Sequence, residues 1–288
     1  MFRHMNIERF NEIEKEVVML VESTIIAVKE KSFEDYVLLL IHADFYEFID
    51  SHRGCGLSPY VIEDPSDEYM DITRQKFLAQ YLNKYSLNLL KESMSDMDSI
   101  ENEMNIQMMM YAHTWESHLF LKELERIASI LSGKGYKWKS SVYNTRKSNF
   151  IKQNIIQPFQ KIQLPITKCI EFCYNDELRN NFAHSTYYID IESERIYFNN
   201  KGFMWGNSIL INEWEEKFVQ SILLSYHLPK CLRFHEDHFI ENYGIIPIKL
   251  KRPLIANSQK SQEFYVVPEY DKAYDNKRVR FNFLRTHE

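Results

Sequence analysis

A chain of 288 residues is long enough for two domains or one large one, and its 44% apolar and 14% aromatic residues can fill a sizeable core. Its net charge of −6 excludes a surface coated for nonspecific nucleic-acid binding, so any such contact has to be local. Seven glycines and eight prolines argue against a turn-rich all-β fold, and no apolar run approaches the ~20 residues that span a bilayer.

Met1 to Met5 leads directly into charged helix rather than into a signal peptide's apolar stretch, so a cytoplasmic protein without a membrane partner is expected. From Glu8 to Glu30, Phe10, Ile13, Val17, Leu20, Val21, Thr24, Ile25 and Val28 form one apolar stripe at helical spacing. A second helix is expected from about Phe33 to Asp50, stopped by the glycines of 52–56 and followed by an acidic, turn-rich loop. A third runs from Ile72 to about Leu90. The methionine-rich stretch 91–110 is interrupted by Ser93, Asp96, Asp98 and Ser99, which suits a linker and then the start of a buried helix.

That helix is expected from Asn102 to Leu131, with Ser132-Gly133 as its stop. No acidic residue follows until after Lys152, and Lys134, Lys137, Trp138, Lys139, Arg146 and Lys147 alternate with Tyr143 and Phe150. Cations can hold phosphates while rings stack on unpaired bases, so this stretch is a candidate RNA-binding segment. The competing reading is a solvated loop with snorkelling lysines. Cys169 and Cys173, spaced i, i+4 on an apolar face, are read as reduced core residues.

The most specific chemical offer is Glu177-Leu178-Arg179-Asn180-Asn181-Phe182-Ala183-His184. Asn175 and Asp176 can cap a helix just upstream, and Tyr187–Ile191 beyond it alternates like a strand. The motif is therefore expected on a short helix near its exit. At about 100° per residue, Asn180 and His184 share a face, whereas Arg179 lies about 140° from His184. Arginine and histidine can meet one substrate only if the helix ends inside the motif or a second copy faces the first.

Tyr187–Ile191 and Arg195–Phe198 predict a hairpin, Ile209–Ile211 a third short strand, and Asn212 opens a helix that Pro229 should close. Beyond it, Pro247, Pro253 and Pro268 interrupt short extended runs. Cys231, His235 and His238 are residue types that can in principle bind zinc, but no second cluster with ligand spacing is nearby; the histidines are read as ordinary surface or cap residues, and neither metal nor cofactor is expected. The sequence predicts a mainly α protein with three regions: an N-terminal helical region over 1–95, a bundle with a small β-hairpin over 96–228, and an irregular extension with short strands over 229–288.

Arg179-Asn180 through Ala183-His184 resembles the Arg-x4-6-His signature of the HEPN superfamily, in which a polar residue commonly follows the arginine. Tyr111-Ala112-His113-Thr114-Trp115-Glu116 and the apolar residues after it look like an early helix of such a domain, so the resemblance covers roughly residues 100–228. It implies a HEPN-type helical bundle that works as a dimeric, metal-independent endoribonuclease, often a toxin or antiviral effector. Arg179, Asn180 and His184 would be its catalytic residues, and Glu116 either a polar group behind them or a member of a surface ion pair. RNA, a second copy of the chain and an antitoxin or regulatory protein are the implied partners. In one branch a tyrosine two positions after the histidine is modified by an antitoxin, but here Thr186 holds that place and Tyr187 and Tyr188 follow. A noncatalytic RNA-binding or protein-interaction module, or a helical scaffold, would keep the same motif for structure.

Overall fold

The computed structural model describes residues 5–45, 60–62, 65–90, 97–142, 145–198, 207–253, 261–272 and 278–284. Among them the protein is mostly helical, with two small three-stranded sheets. No described helix is long and apolar enough to cross a membrane.

Helix α1 (Ile7–Lys31) buries Phe10, Ile13, Val17, Val21, Thr24, Ile25 and Val28, the stripe expected from spacing, while Leu20 is partly buried against the core. Ser32 ends α1 and at once caps α2 (Phe33–Leu40), its hydroxyl accepting from the Asp35 N–H at 3.1 Å. Helix α2 stops well short of Asp50. His42 adopts a left-handed φ of 46°, and the chain leaves as strand β1 (Asp44–Phe45), paired with β2 (Tyr60–Val61). Ile41 and Phe45, which suggested a longer helix, instead serve a turn and a strand, and residues 46–50 lie outside the described residues. The expected glycine stop at 52–56, Cys55 and the acidic residues at 63–64 lie outside the described residues.

Helix α3 (Pro65–Leu90) starts earlier than expected, on a proline suited to a first turn. The single helix expected over 102–131 is two, α4 (Met97–Glu116) and α5 (His118–Leu131). Ser117 between them is extended (φ −64°, ψ 116°), and its hydroxyl accepts from the Arg74 guanidinium of α3. That break needs a partner distant in sequence, and it leaves Glu116 at a helix end.

Helices α6 (Lys147–Phe150) and α7 (Gln157–Ile162) flank a π-helical turn over Ile151–Ile156. Next come α8 (Pro165–Cys173), α9 (Asp176–Ala183), and the antiparallel strands β3 (Tyr187–Asp190), β4 (Arg195–Phe198) and β5 (Ser208–Leu210). Helix α10 (Ile211–Asp237) does not stop at Pro229. Proline at that position removes the bond to the Ser225 carbonyl, but the Gln75 amide of α3 donates to that oxygen at 3.3 Å.

Helices α1 and α10 run side by side in the same direction. Glu215 accepts from Met5 N–H (3.1 Å), Arg9 pairs with Glu216 (2.8 Å), and Glu14 meets His227 (3.0 Å). One buried cluster extends from Met5 to Phe281, and α10 crosses the boundary expected after residue 228. After α11 (Phe239–Tyr243), the C-terminal segment is more regular than expected: β6 (Ile248–Pro253), β7 (Ser261–Tyr270) and β8 (Val279–Leu284) form an antiparallel sheet. Pro253 ends β6, and Pro268 sits inside β7 beyond Val266, the last residue paired with β6. The proline's missing N–H therefore faces a locally open edge.

Helix α5 holds an unusual set of charges: Lys122, Glu123, Glu125 and Arg126 are each 1% exposed. Asp44 of β1 meets Lys122 at 2.6 Å and Arg126 at 3.1 Å, so β1 is bound to α5 by a buried ion triad. Burial alone would push the Asp44 carboxyl up, but Arg126 and Lys122 hold it below the ordinary carboxylate value. Stability from a depressed pKa is fully present above the unfolded value of ~3.9 and is lost as pH falls through the lower folded value. Asp44→Asn should cost about 3–5 kcal/mol at neutral pH, since it leaves two buried cations without their carboxylate. Urea unfolding checks both claims: the gap to the unaltered chain should close as pH falls below about 4, and a gap constant across that range would refute them.

Candidate functional site

Helix α9 begins and ends on features of its own sequence. Asn175 accepts from the Leu178 N–H at 3.0 Å, and Asp176 and Glu177 occupy the first turn, where the helix dipole favours acids. Its other end is a Schellman closure, with Thr186 N–H donating to the Asn181 carbonyl (2.9 Å) and Ser185 N–H to that of Phe182 (3.2 Å). This closure needs left-handed backbone at Ser185, where φ is 51°. His184 is the cap residue and is exposed. The motif thus sits at a helix exit, as its flanking residues suggested.

Phe182 fixes the depth of the helix. Its ring meets Trp214 (4.8 Å), Tyr187 (5.3 Å) and Tyr111 (5.9 Å) edge-on, so Leu178, Arg179 and Phe182 point inward. Arg179 is only 7% exposed. Its guanidinium donates to Glu116 at the end of α4 and, through Nη2, to Asn180 Oδ1 at 2.8 Å. Asp176 Oδ1 lies 3.9 Å from the same Nη2 and accepts a long bond from Asn180 at 3.5 Å. Burial lowers the arginine's pKa from its ordinary value, yet the guanidinium remains charged. Glu116 is therefore the arginine's ion-pair partner, while none of these bonds involves the His184 imidazole.

Asp176 does more than cap the helix; it is a hub. Besides Asn180 it binds Lys152 (3.2 Å) and accepts from the Tyr174 hydroxyl (3.0 Å). Its i, i+3 and i, i+4 relation to Arg179 and Asn180 was the available signal. Asp176, Asn180 and Asn181 line an open cleft of about 670 Å³, whose lining also includes Lys152 and Ile156 of the π-helical turn. Such turns recur at functional sites because they displace side chains from the regular helical track.

The basic stretch is largely absorbed by the fold. Lys137 pairs with the buried Glu125, Lys147 donates to the Val142 carbonyl, and Lys139 lies over the Phe45 ring at 5.8 Å. Trp138 is 8% exposed, edge-on to Tyr60, Tyr136 and Phe264, so its ring is not available to stack on a base. Tyr143 lies outside the described residues. Lys134 and Arg146 are exposed and remain the accessible cations of the set. Lys152, joined to Asp176, is the cation of this run that reaches the motif.

Two cysteines behave as expected: Cys169 and Cys173 are buried free thiols with their sulfurs 3.9 Å apart. The last cluster differs. His238 bonds back to the Phe234 carbonyl (2.9 Å), whereas Cys231 and His235 converge on Glu22 of α1.

Because Ser185 carries a left-handed φ without being glycine, Ser185→Gly should stabilise the fold by roughly 1 kcal/mol, glycine's extra freedom in the unfolded chain offsetting part of the relieved strain. Denaturant midpoints measure this, and a destabilised Ser185→Gly chain would show that the serine contributes more than it strains. No protein-family model, curated protein or solved structure matches the chain.

Proposed function

We propose that the chain is a HEPN-like, metal-independent endoribonuclease acting on single-stranded RNA, with Arg179, Asn180 and His184 as its working groups. The observation that carries this reading is the α9 exit. A guanidinium gathered with an amide and a carboxylate beside an open cleft precedes, by just over one turn, an exposed histidine at the helix cap.

The chemistry needs no metal. The RNA 2′-hydroxyl attacks the adjacent phosphorus, its proton passes to a histidine, and the bond to the 5′ oxygen breaks as that oxygen receives a proton. The products are a 2′,3′-cyclic phosphate and a 5′-hydroxyl. Arg179 neutralises the charge that builds on the phosphoryl oxygens, exchanging the partly exposed Glu116 carboxylate for phosphate. Asn180 keeps the guanidinium oriented. DNA, lacking the 2′-hydroxyl, is spared.

Within one chain the buried Arg179 and the exposed His184 do not share a face. The active unit in this reading is therefore a homodimer, in which a two-fold axis brings both motifs to one phosphate and supplies one histidine as base and one as acid. A toxin or antiviral role, restrained by a regulatory protein, follows from the resemblance alone. One observation favours a second reading: Arg179 is 7% exposed and ion-paired to Glu116. That arrangement suits a noncatalytic RNA-binding or protein-interaction module whose arginine is structural.

His184→Ala should lower RNA cleavage about 10²–10⁴-fold, the usual contribution of a general acid or base, and Arg179→Ala should also abolish most of it. Cleavage by the unaltered chain should persist in excess chelator and leave cyclic phosphate ends, read by mass spectrometry of a short RNA. Mixing the two inactive variants should restore part of the activity if residues are shared across the dimer. Full activity in both single variants would remove the site assignment. RNA binding without cleavage by the unaltered chain would favour the second reading.

A further inference from the structure

The seam between α1 and α10 contains a group of side chains that the cleavage chemistry does not use. Cys231 and His235 stand i, i+4 on α10, about 40° apart and hence on one face. Glu22 reaches them from α1. The Cys231 thiol donates to Glu22 Oε2 at 3.0 Å, and His235 Nε2 lies 3.1 Å from Glu22 Oε1. One ligand atom from each lies within 4.8 Å of the others. These donors are a thiol, an imidazole and a carboxylate, the three side-chain types that zinc takes at about 2.0–2.3 Å.

We propose that Glu22, Cys231 and His235 form a binding site for a zinc-class divalent ion, with water as the fourth ligand. The surroundings are those of a metal site rather than of a simple hydrogen-bonded chain. His235 Nδ1 is 2.9 Å from the hydroxyl of Tyr36, a residue only 1% exposed. That contact holds the ring so that Nε2 faces the ion, the support from behind that ligating histidines generally have. Glu22 is 40% exposed on its side chain and His235 13%, so the site has a buried back and a wet front through which an ion and its water can arrive. The neighbouring pair lower on the seam, Glu14 with His227, has the same carboxylate and imidazole but no thiol. It serves as an internal comparison for what the cysteine adds.

Binding replaces the thiol proton with the metal and releases that proton to solvent. Sulfur and imidazole together favour zinc, with cobalt(II) as its spectroscopic stand-in, over magnesium or calcium, which prefer all-oxygen sites. The ion ties α1 to α10 beyond Pro229, where the helix lacks one of its own bonds. This site shares no residue with Arg179, Asn180 or His184, so its test does not depend on RNA cleavage.

The experiment is titration of the metal-stripped full chain with cobalt(II), followed by displacement with zinc. A thiolate-to-cobalt charge-transfer band should saturate at one equivalent, disappear when zinc is added, and be absent in Cys231→Ser. Tyr36→Phe keeps all three ligands and should weaken affinity about 10–100-fold, as loss of a supporting hydrogen bond to a ligand does. A chain carrying Cys55→Ser, Cys169→Ala and Cys173→Ala should keep the band. Zinc should raise the melting temperature of the unaltered chain and leave that of Glu22→Gln unmoved. The absence of any charge-transfer band under a large excess of cobalt would overturn the proposal, as would a band undiminished in Cys231→Ser. If Cys231→Ser fails to fold, Tyr36→Phe and Glu22→Gln decide: unchanged affinity in both overturns the site.

Discussion

The hydroxyl of Tyr111 holds the arrangement around the motif together. Fully buried on α4, it donates to the Cys173 carbonyl at 2.8 Å and accepts from the Asn175 N–H at 3.0 Å. Those two groups are the end of α8 and the cap of α9, so one side chain bridges both sides of the corner, with the Ser221 hydroxyl adding a longer bond to the same carbonyl at 3.4 Å. A buried backbone group left without a partner costs about 1–3 kcal/mol, which is why the turn stays where this hydroxyl reaches it. The ring contributes as well, edge-on to Trp214 (5.2 Å) and Phe182 (5.9 Å). Because Tyr111 and Glu116 share α4, the clamp that sets α9 also fixes where the partner of Arg179 stands.

Polar groups do much of the orienting in this fold. The ion triad of Asp44, Lys122 and Arg126 joins β1 to α5, and Glu125 accepts from Ser140 at 2.5 Å while pairing with Lys137. A buried ion pair is weak evidence for net stability, because desolvation opposes the attraction. It is strongly directional, however, and here it fixes which way a short strand leaves a left-handed turn. The seam of α1 and α10 follows the same logic: its apolar stripe supplies burial, and the carboxylates of Glu14, Glu22, Glu215 and Glu216 set the register.

Around Arg179 the same economy produces a tension. A cation with two hydrogen-bonded partners is well placed but already neutralised, and its burial favours keeping those partners. The exposed His184 and the open cleft present the opposite condition, a solvent-facing group and room for a ligand. Chemistry at this exit requires an anion strong enough to compete with Glu116. A phosphodiester beside two arginines in a symmetric dimer supplies that competition in the proposed function.

Local pattern was sufficient for much of the fold. The stripe of α1, the cap and exit of α9, the hairpin of β3 and β4 and the mainly α class were legible because each depends on spacing or capping within a few residues. The helical placement of Arg179 and Asn180 and the cap position of His184 were legible for the same reason. What the sequence could not settle were features that depend on distant partners. Pro229 looks like a helix stop until Gln75 takes the carbonyl it frees, and Ser117 looks like helix interior until Arg74 binds it. Trp138 and its lysines allow both a nucleic-acid surface and a solvated loop by sequence, and it is Glu125, Tyr60 and Phe264 that pack Lys137 and Trp138 into the fold. Cys231 and His235 lacked a companion because Glu22 lies on a helix more than two hundred residues away in the chain. In each case a polar or aromatic side chain is satisfied across tertiary space, and only folding decides which partner arrives.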